Sequence, residues 1–72
     1  MLEVLENVEE LDLSGLTAHE KGIVDTYKKL KAIGGKVIFR KKTIKSGSFL
    51  NIYCYDQTNW KYMLRYSIEI KQ

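Results

Sequence analysis

Seventy-two residues, 44% of them hydrophobic and 29% charged, give room for one small core and exclude an architecture of several domains. Cys54 is the only cysteine and His19 the only histidine, which excludes an internal disulfide and leaves a Cys/His zinc site short of ligands. The formal net charge of +3 conceals a division: residues 1–15 carry five acids and no base, a local −5, while residues 16–72 carry twelve Lys and Arg against four acids, a local +8. That basic body attracts a polyanion, or the chain's own acidic arm. Glu3, Glu6, Glu9, Glu10 and Asp12 make the start of the chain the reverse of a secretory signal. No apolar run approaches the roughly 20 residues that cross a bilayer, and an unpaired thiol suits a reducing compartment. A cytoplasmic protein with no membrane partner is expected. At this size burial and ordering entropy nearly cancel, so a homodimer is one expected route to added stability.

In chain order, Leu2, Leu5, Val8 and Leu11 recur three apart with acids between them, which predicts a short amphipathic helix with an acidic outer face. Ser14-Gly15 reads as a turn. Thr17 and Glu20 have capping-box spacing, and Ile23, Val24, Tyr27, Leu30 and Ile33 follow at helical intervals, predicting a second helix over 17–33 that Gly34-Gly35 ends. The period then changes. Residues 36–44 and 49–56 are rich in β-branched and aromatic side chains, and Lys45-Ser46-Gly47-Ser48 between them is a hairpin signal. After a turn at Asp56-Gln57-Thr58-Asn59, residues 60–70 alternate strictly: Trp60, Tyr62, Leu64, Tyr66, Ile68 and Ile70 against Lys61, Met63, Arg65, Ser67 and Glu69. The expectation is a single α+β domain over residues 1–72, with N-terminal helical segments before a three-stranded antiparallel meander and one main helix packed on the sheet.

The strand of residues 49–56 is apolar on both sides, with Leu50, Ile52 and Cys54 on one and Phe49, Tyr53 and Tyr55 on the other. An odd-length loop around Gln57–Asn59 would set Leu50, Ile52 and Cys54 with Trp60, Tyr62, Leu64 and Tyr66 beneath the helix. The opposite face would then combine Phe49, Tyr53 and Tyr55 with Arg40, Lys42, Lys61 and Arg65. Rings that stack bases beside cations that track phosphates are what single-stranded nucleic-acid binders use. A one-residue change of register would dissolve this constellation. The plainer reading makes Tyr53 and Tyr55 ordinary strand residues covered by the N-terminal helix, a lid whose acids would compete with phosphate.

Catalytic chemistry finds little support. His19 lies in the first helical turn without a nucleophile motif, and Cys54 sits mid-strand, where a thiol behaves as a small hydrophobe. The N-terminal carboxylates lack the alternation and glycine of a calcium loop, and Gly34-Gly35 follows a helix where phosphate loops follow a strand. The sequence therefore predicts a non-catalytic binding protein without cofactor or metal. Its first candidate partner is nucleic acid, bound through Arg40, Lys42, Phe49, Tyr53, Tyr55, Lys61 and Arg65. The alternative is a regulator or inhibitor, of the kind encoded as bacterial or phage accessory proteins. It would mask a protein partner with Phe49, Tyr53, Tyr55 and Trp60 as aromatic anchors.

Overall fold

The computed structural model describes residues 2–5, 11 and 13–70, the first four as backbone alone. The elements are β1 (Leu2–Leu5), α1 (Ala18–Ala32), β2 (Val37–Ile44), β3 (Gly47–Asp56) and β4 (Lys61–Ile70). The strands form one antiparallel sheet in the order β1-β2-β3-β4, so the α+β class and the helix-then-meander order are as the sequence predicts.

Helix α1 owes its limits to its caps. The Thr17 Oγ1 accepts the Glu20 amide at 3.1 Å and Glu20 accepts the Thr17 amide at 2.9 Å, satisfying two amides that a helix start leaves unpaired. At the other end Gly34 N–H donates to the Lys31 carbonyl at 3.1 Å and Gly35 N–H to the Leu30 carbonyl at 2.9 Å. This paired closure needs a left-handed residue, and Gly34 supplies it at φ +91. A Cβ on Gly35 would lie 2.6 Å from the Leu30 carbonyl oxygen, so that position also requires glycine. The expected apolar face is kept at Val24, Ile23 and Tyr27, whereas Ile33, one residue past the last helical turn, is 83% exposed.

The N-terminal segment departs from its periodicity. Over Leu2–Leu5 the chain is a strand, not a helix, and pairs with β2 so that Leu2 faces Lys42, Glu3 faces Lys41, Val4 faces Arg40 and Leu5 faces Phe39 along the ladder. A helix over residues 1–11 would be shorter than the roughly 12–15 residues at which an isolated helix is still marginal, while the open edge of β2 offers a row of unpaired backbone groups. Leu2–Leu5 thus extend the sheet in its own plane and form no lid over its face. The rest of the expected N-terminal helix, with Val8 and the acids Glu6, Glu9, Glu10 and Asp12, lies outside the described residues.

The core lies between α1 and one face of the sheet: Leu16 and Val24 meet Val37 and Phe39 of β2, Leu50 and Ile52 of β3, and Ile68 and Ile70 of β4. The β2–β3 hairpin closes with Ile44 opposite Gly47, a two-residue loop whose even length puts Val37, Phe39, Ile52 and Leu50 on the same side. The β3–β4 connection has four residues, Gln57 to Trp60, between Asp56 and its partner Lys61. A bulge then intervenes. Tyr53 pairs with Leu64 but Ile52 pairs with Tyr66, leaving Arg65 as the extra residue. Because side chains alternate with a period of two, one inserted residue exchanges the faces on either side of it. Tyr66, Ile68 and Ile70 therefore join the core side, whereas Tyr62 and Leu64 join Tyr53 and Tyr55 on the other.

Candidate binding surface on the sheet face away from the helix

Among the described residues α1 is the only helix, and no second layer packs on the sheet face turned away from it. The pairing gives that face Lys36, Ile38, Arg40 and Lys42 along β2 and its approach, Phe49, Asn51, Tyr53 and Tyr55 on β3, and Tyr62, Leu64, Ser67 and Glu69 on β4. Cations and rings meet there in contact. The Arg40 guanidinium carbon lies 4.9 Å from the Tyr53 ring centroid, and Lys36 Nζ lies 4.8 Å from that of Tyr55. Both separations are within cation–π range. Tyr55 in turn meets Tyr62 edge-to-face, with centroids 5.4 Å apart. At the centre Ser67 Oγ donates to Asn51 Oδ1 at 2.7 Å, which satisfies an amide oxygen on the one buried polar residue among the described residues. The Arg40 Nε is itself buried and has no hydrogen-bond partner among the described residues.

Of the seven residues singled out from the sequence, five share this face: Arg40, Lys42, Phe49, Tyr53 and Tyr55. Lys42 is opposite Phe49, and the two line a shallow depression of about 320 Å³ with Ile44, Asn51, Leu64 and Ser67. The two basic residues from the third strand do not join them. Lys61 pairs with Asp56 at the strand end, one position out of phase with Tyr62, because the turn has four residues instead of an odd number. Arg65 is the bulged residue, and its charge is felt by Tyr27 of the helix and by Asp56 of the turn, whose ionised forms it favours. Lys36, Tyr62 and Leu64 belong to the face and escaped the sequence reading. For Lys36 the signal was present, since it is in phase with Arg40 and Lys42. Tyr62 and Leu64 were assigned to the covered side by the same loop-length assumption.

The turn that carries Trp60 is built by Asp56. Its carboxylate accepts the Thr58 amide at 2.9 Å and the Asn59 side-chain amide at 2.7 Å. These hydrogen bonds, that from Asn59 foremost, hold the Asp56 carboxyl below its ordinary range. The turn closes with Trp60 in the left-handed region at φ +57, the sole non-glycine residue with positive φ among the described residues. That conformation costs an L-residue on the order of 1 kcal/mol, and the bulky Trp60 is a true outlier there. The residue is 82% exposed. Beside it, Lys36, Tyr55, Gln57 and Trp60 line a second open pocket of about 460 Å³.

Among the described residues no three of His, Cys, Asp and Glu converge as a metal site would require, and no helix is long and apolar enough to cross a membrane. His19 is exposed in the first turn of α1, and Cys54 is half-buried against the core. No family model, curated protein or solved structure matches this chain.

Proposed function

We propose that this chain is a non-catalytic protein that binds single-stranded nucleic acid on the sheet face turned away from α1. The observation that supports this reading is the interleaving there of Tyr53 under Arg40 and Tyr55 under Lys36, with Lys42 and Phe49 adjacent. Arg40 and Lys42, joined by Lys36 over the Tyr55 ring, stand against Glu69 alone among the residues whose phase the pairing sets, so the face is complementary to phosphate. A guanidinium plane and a phenol ring are both surfaces on which an unpaired base stacks. A duplex offers its bases only as edges in grooves, and a gently twisted sheet face suits splayed bases better.

The test is anisotropy of a labelled mixed-sequence single-stranded oligonucleotide, measured at 50 and 200 mM salt with the wild type and with the Arg40→Ala/Lys42→Ala variant. Three phosphate contacts predict a salt slope near −2 and thus a loss of roughly 20-fold between the two concentrations. The double variant is expected to bind more weakly and with a shallower slope. Absence of binding at low salt would sink the reading.

A second reading rests on a different observation. Leu64 is 52% exposed and Ile44 42% exposed, both beside the depression lined by Lys42 and Phe49. Exposed aliphatic residues beside rings suit a protein partner whose surface this chain would mask, with the rings as anchors. Such binding changes far less between 50 and 200 mM salt.

A further inference from the structure

The pocket at the β3–β4 turn differs from the rest of the face in how it is made. Tyr53 and Phe49 are half-buried, and Arg40 caps the Tyr53 ring. Trp60, in contrast, projects from a turn locked by two hydrogen bonds to Asp56 and holds a backbone conformation that glycine or asparagine would adopt more easily. Packing within the described fold offsets little of this, since Trp60 is 82% exposed. A strained, solvent-facing aromatic on a rigid turn is the pattern of a residue held ready for a ligand. The neighbours say which. Lys36 supplies a cation whose Nζ hovers 4.8 Å from the Tyr55 ring, and the Gln57 side chain carries both a donor and an acceptor. The ring of Tyr55 is braced edge-on by Tyr62.

We propose that Lys36, Tyr55, Gln57 and Trp60 form a subsite for one unpaired nucleobase at the end of the bound strand, an inference that rests on the nucleic-acid reading of the same face. The base stacks on the Trp60 indole, its edge meets the Gln57 amide, and Lys36 neutralises the adjoining phosphate. The open volume of about 460 Å³ falls within the range of small-ligand pockets. Bases farther along the strand lie over Tyr55, Tyr53 and Phe49. Binding at this subsite is therefore an addition to the general face, with its own loss on mutation.

Trp60 is the only tryptophan of the chain, so its emission reports on this pocket alone. The experiment adds an unlabelled mixed-sequence single-stranded 12-mer to the wild type while indole fluorescence is followed. In parallel, anisotropy of the labelled 12-mer is measured with the wild type and the Trp60→Gly, Lys36→Ala and Arg40→Ala/Lys42→Ala variants. The expected result is quenching on binding and a loss of affinity of roughly ten-fold in Trp60→Gly, as for one stacked base. Its melting temperature should equal or exceed that of the wild type, because glycine accepts the turn without strain. If Trp60→Gly binds as tightly as the wild type while Arg40→Ala/Lys42→Ala binds more weakly, the subsite is overturned and the general face stands. A lowered melting temperature in Trp60→Gly would assign the indole a packing role and equally overturn the subsite. If the wild type does not bind the 12-mer at 50 mM salt, both fail, and wild-type affinity in Lys36→Ala removes the phosphate contact assigned to that residue.

Discussion

The two halves of β4 have the same alternating sequence and opposite fates. In Tyr66–Ile70 the alternate side chains turn toward α1: Ile68 and Ile70 are 5% and 3% exposed, while Tyr66 lies at the margin against Tyr27, 40% exposed. In Lys61–Leu64 the same phase of the pattern turns away, leaving Tyr62 38% and Leu64 52% exposed. One bulged residue, Arg65, separates them. A single insertion thus takes half of a strand that reads as core and gives it to a surface, and that surface is where the rings and cations gather. Apolar periodicity marks which residues share a side; it does not say that a strand keeps one side throughout its length.

The comparison predicts its largest effect from matched truncations in the two halves. Ile68→Ala should cost about 2–5 kcal/mol, as for removal of a buried aliphatic side chain. That is a large part of the roughly 4–11 kcal/mol expected for a chain of this size, so the variant should unfold at a markedly lower urea concentration. Leu64→Ala should stay within about 0.5 kcal/mol of the wild type in a urea titration. Equal costs at the two positions would place both halves in the core. A smaller loss, about 1–3 kcal/mol, is expected for Gly35→Ala, where the added Cβ meets the Leu30 carbonyl oxygen at 2.6 Å and disturbs the end of the helix.

Deleting Arg65 sharpens the comparison further. Leu64 would then be followed directly by Tyr66, and the ladder would alternate without a bulge while each half kept its face. The shortened chain should fold, with a melting temperature within about 4–8 °C of the wild type, the equivalent of 1 kcal/mol at this size. Loss of the cooperative transition would mean that the bulge is needed for the twist of the sheet and not only for its phase.

The smallest effects come from pH, and the two halves should respond at opposite ends of the scale. Tyr27 packs edge-to-face on Tyr66 at 5.8 Å, and burial foremost, with Cys54 and Tyr66 beside it, raises its pKa against the opposing pull of Arg65. The folded state therefore holds this proton more tightly than the unfolded chain. That contribution is whole below the ordinary tyrosine value and is lost as pH rises through the raised one. Asp56, the β3 residue paired with Lys61 at the start of the other half, is shifted down by its hydrogen bonds from Asn59 and Thr58. Its contribution is whole above the ordinary carboxyl value and is lost as pH falls through the lowered one. Trp60 emission followed through an acid titration should report loosening of the turn in that acid window, and Asp56→Asn should abolish the response.

The helix and its ends were legible in the sequence because their causes are local: Thr17 and Glu20 close the start, and Gly34 and Gly35 permit an end that other residues resist. The strands of residues 37–70 were legible as well, from their composition and period. The five basic and aromatic residues Arg40, Lys42, Phe49, Tyr53 and Tyr55 came from parity along β2 and β3, where the two-residue loop is even and no bulge intervenes. Only the tertiary structure decided the rest. The pattern at Leu2–Leu5 suits a helical turn, and the open edge of β2 made it a strand, since backbone pairing across chain-distant segments leaves no mark in local periodicity. The four-residue turn and the extra Arg65 moved Lys61 and Arg65 out of the candidate face and brought Tyr62 and Leu64 into it. A shift of one residue costs the alternation pattern nothing in sequence and exchanges every side chain beyond it in space.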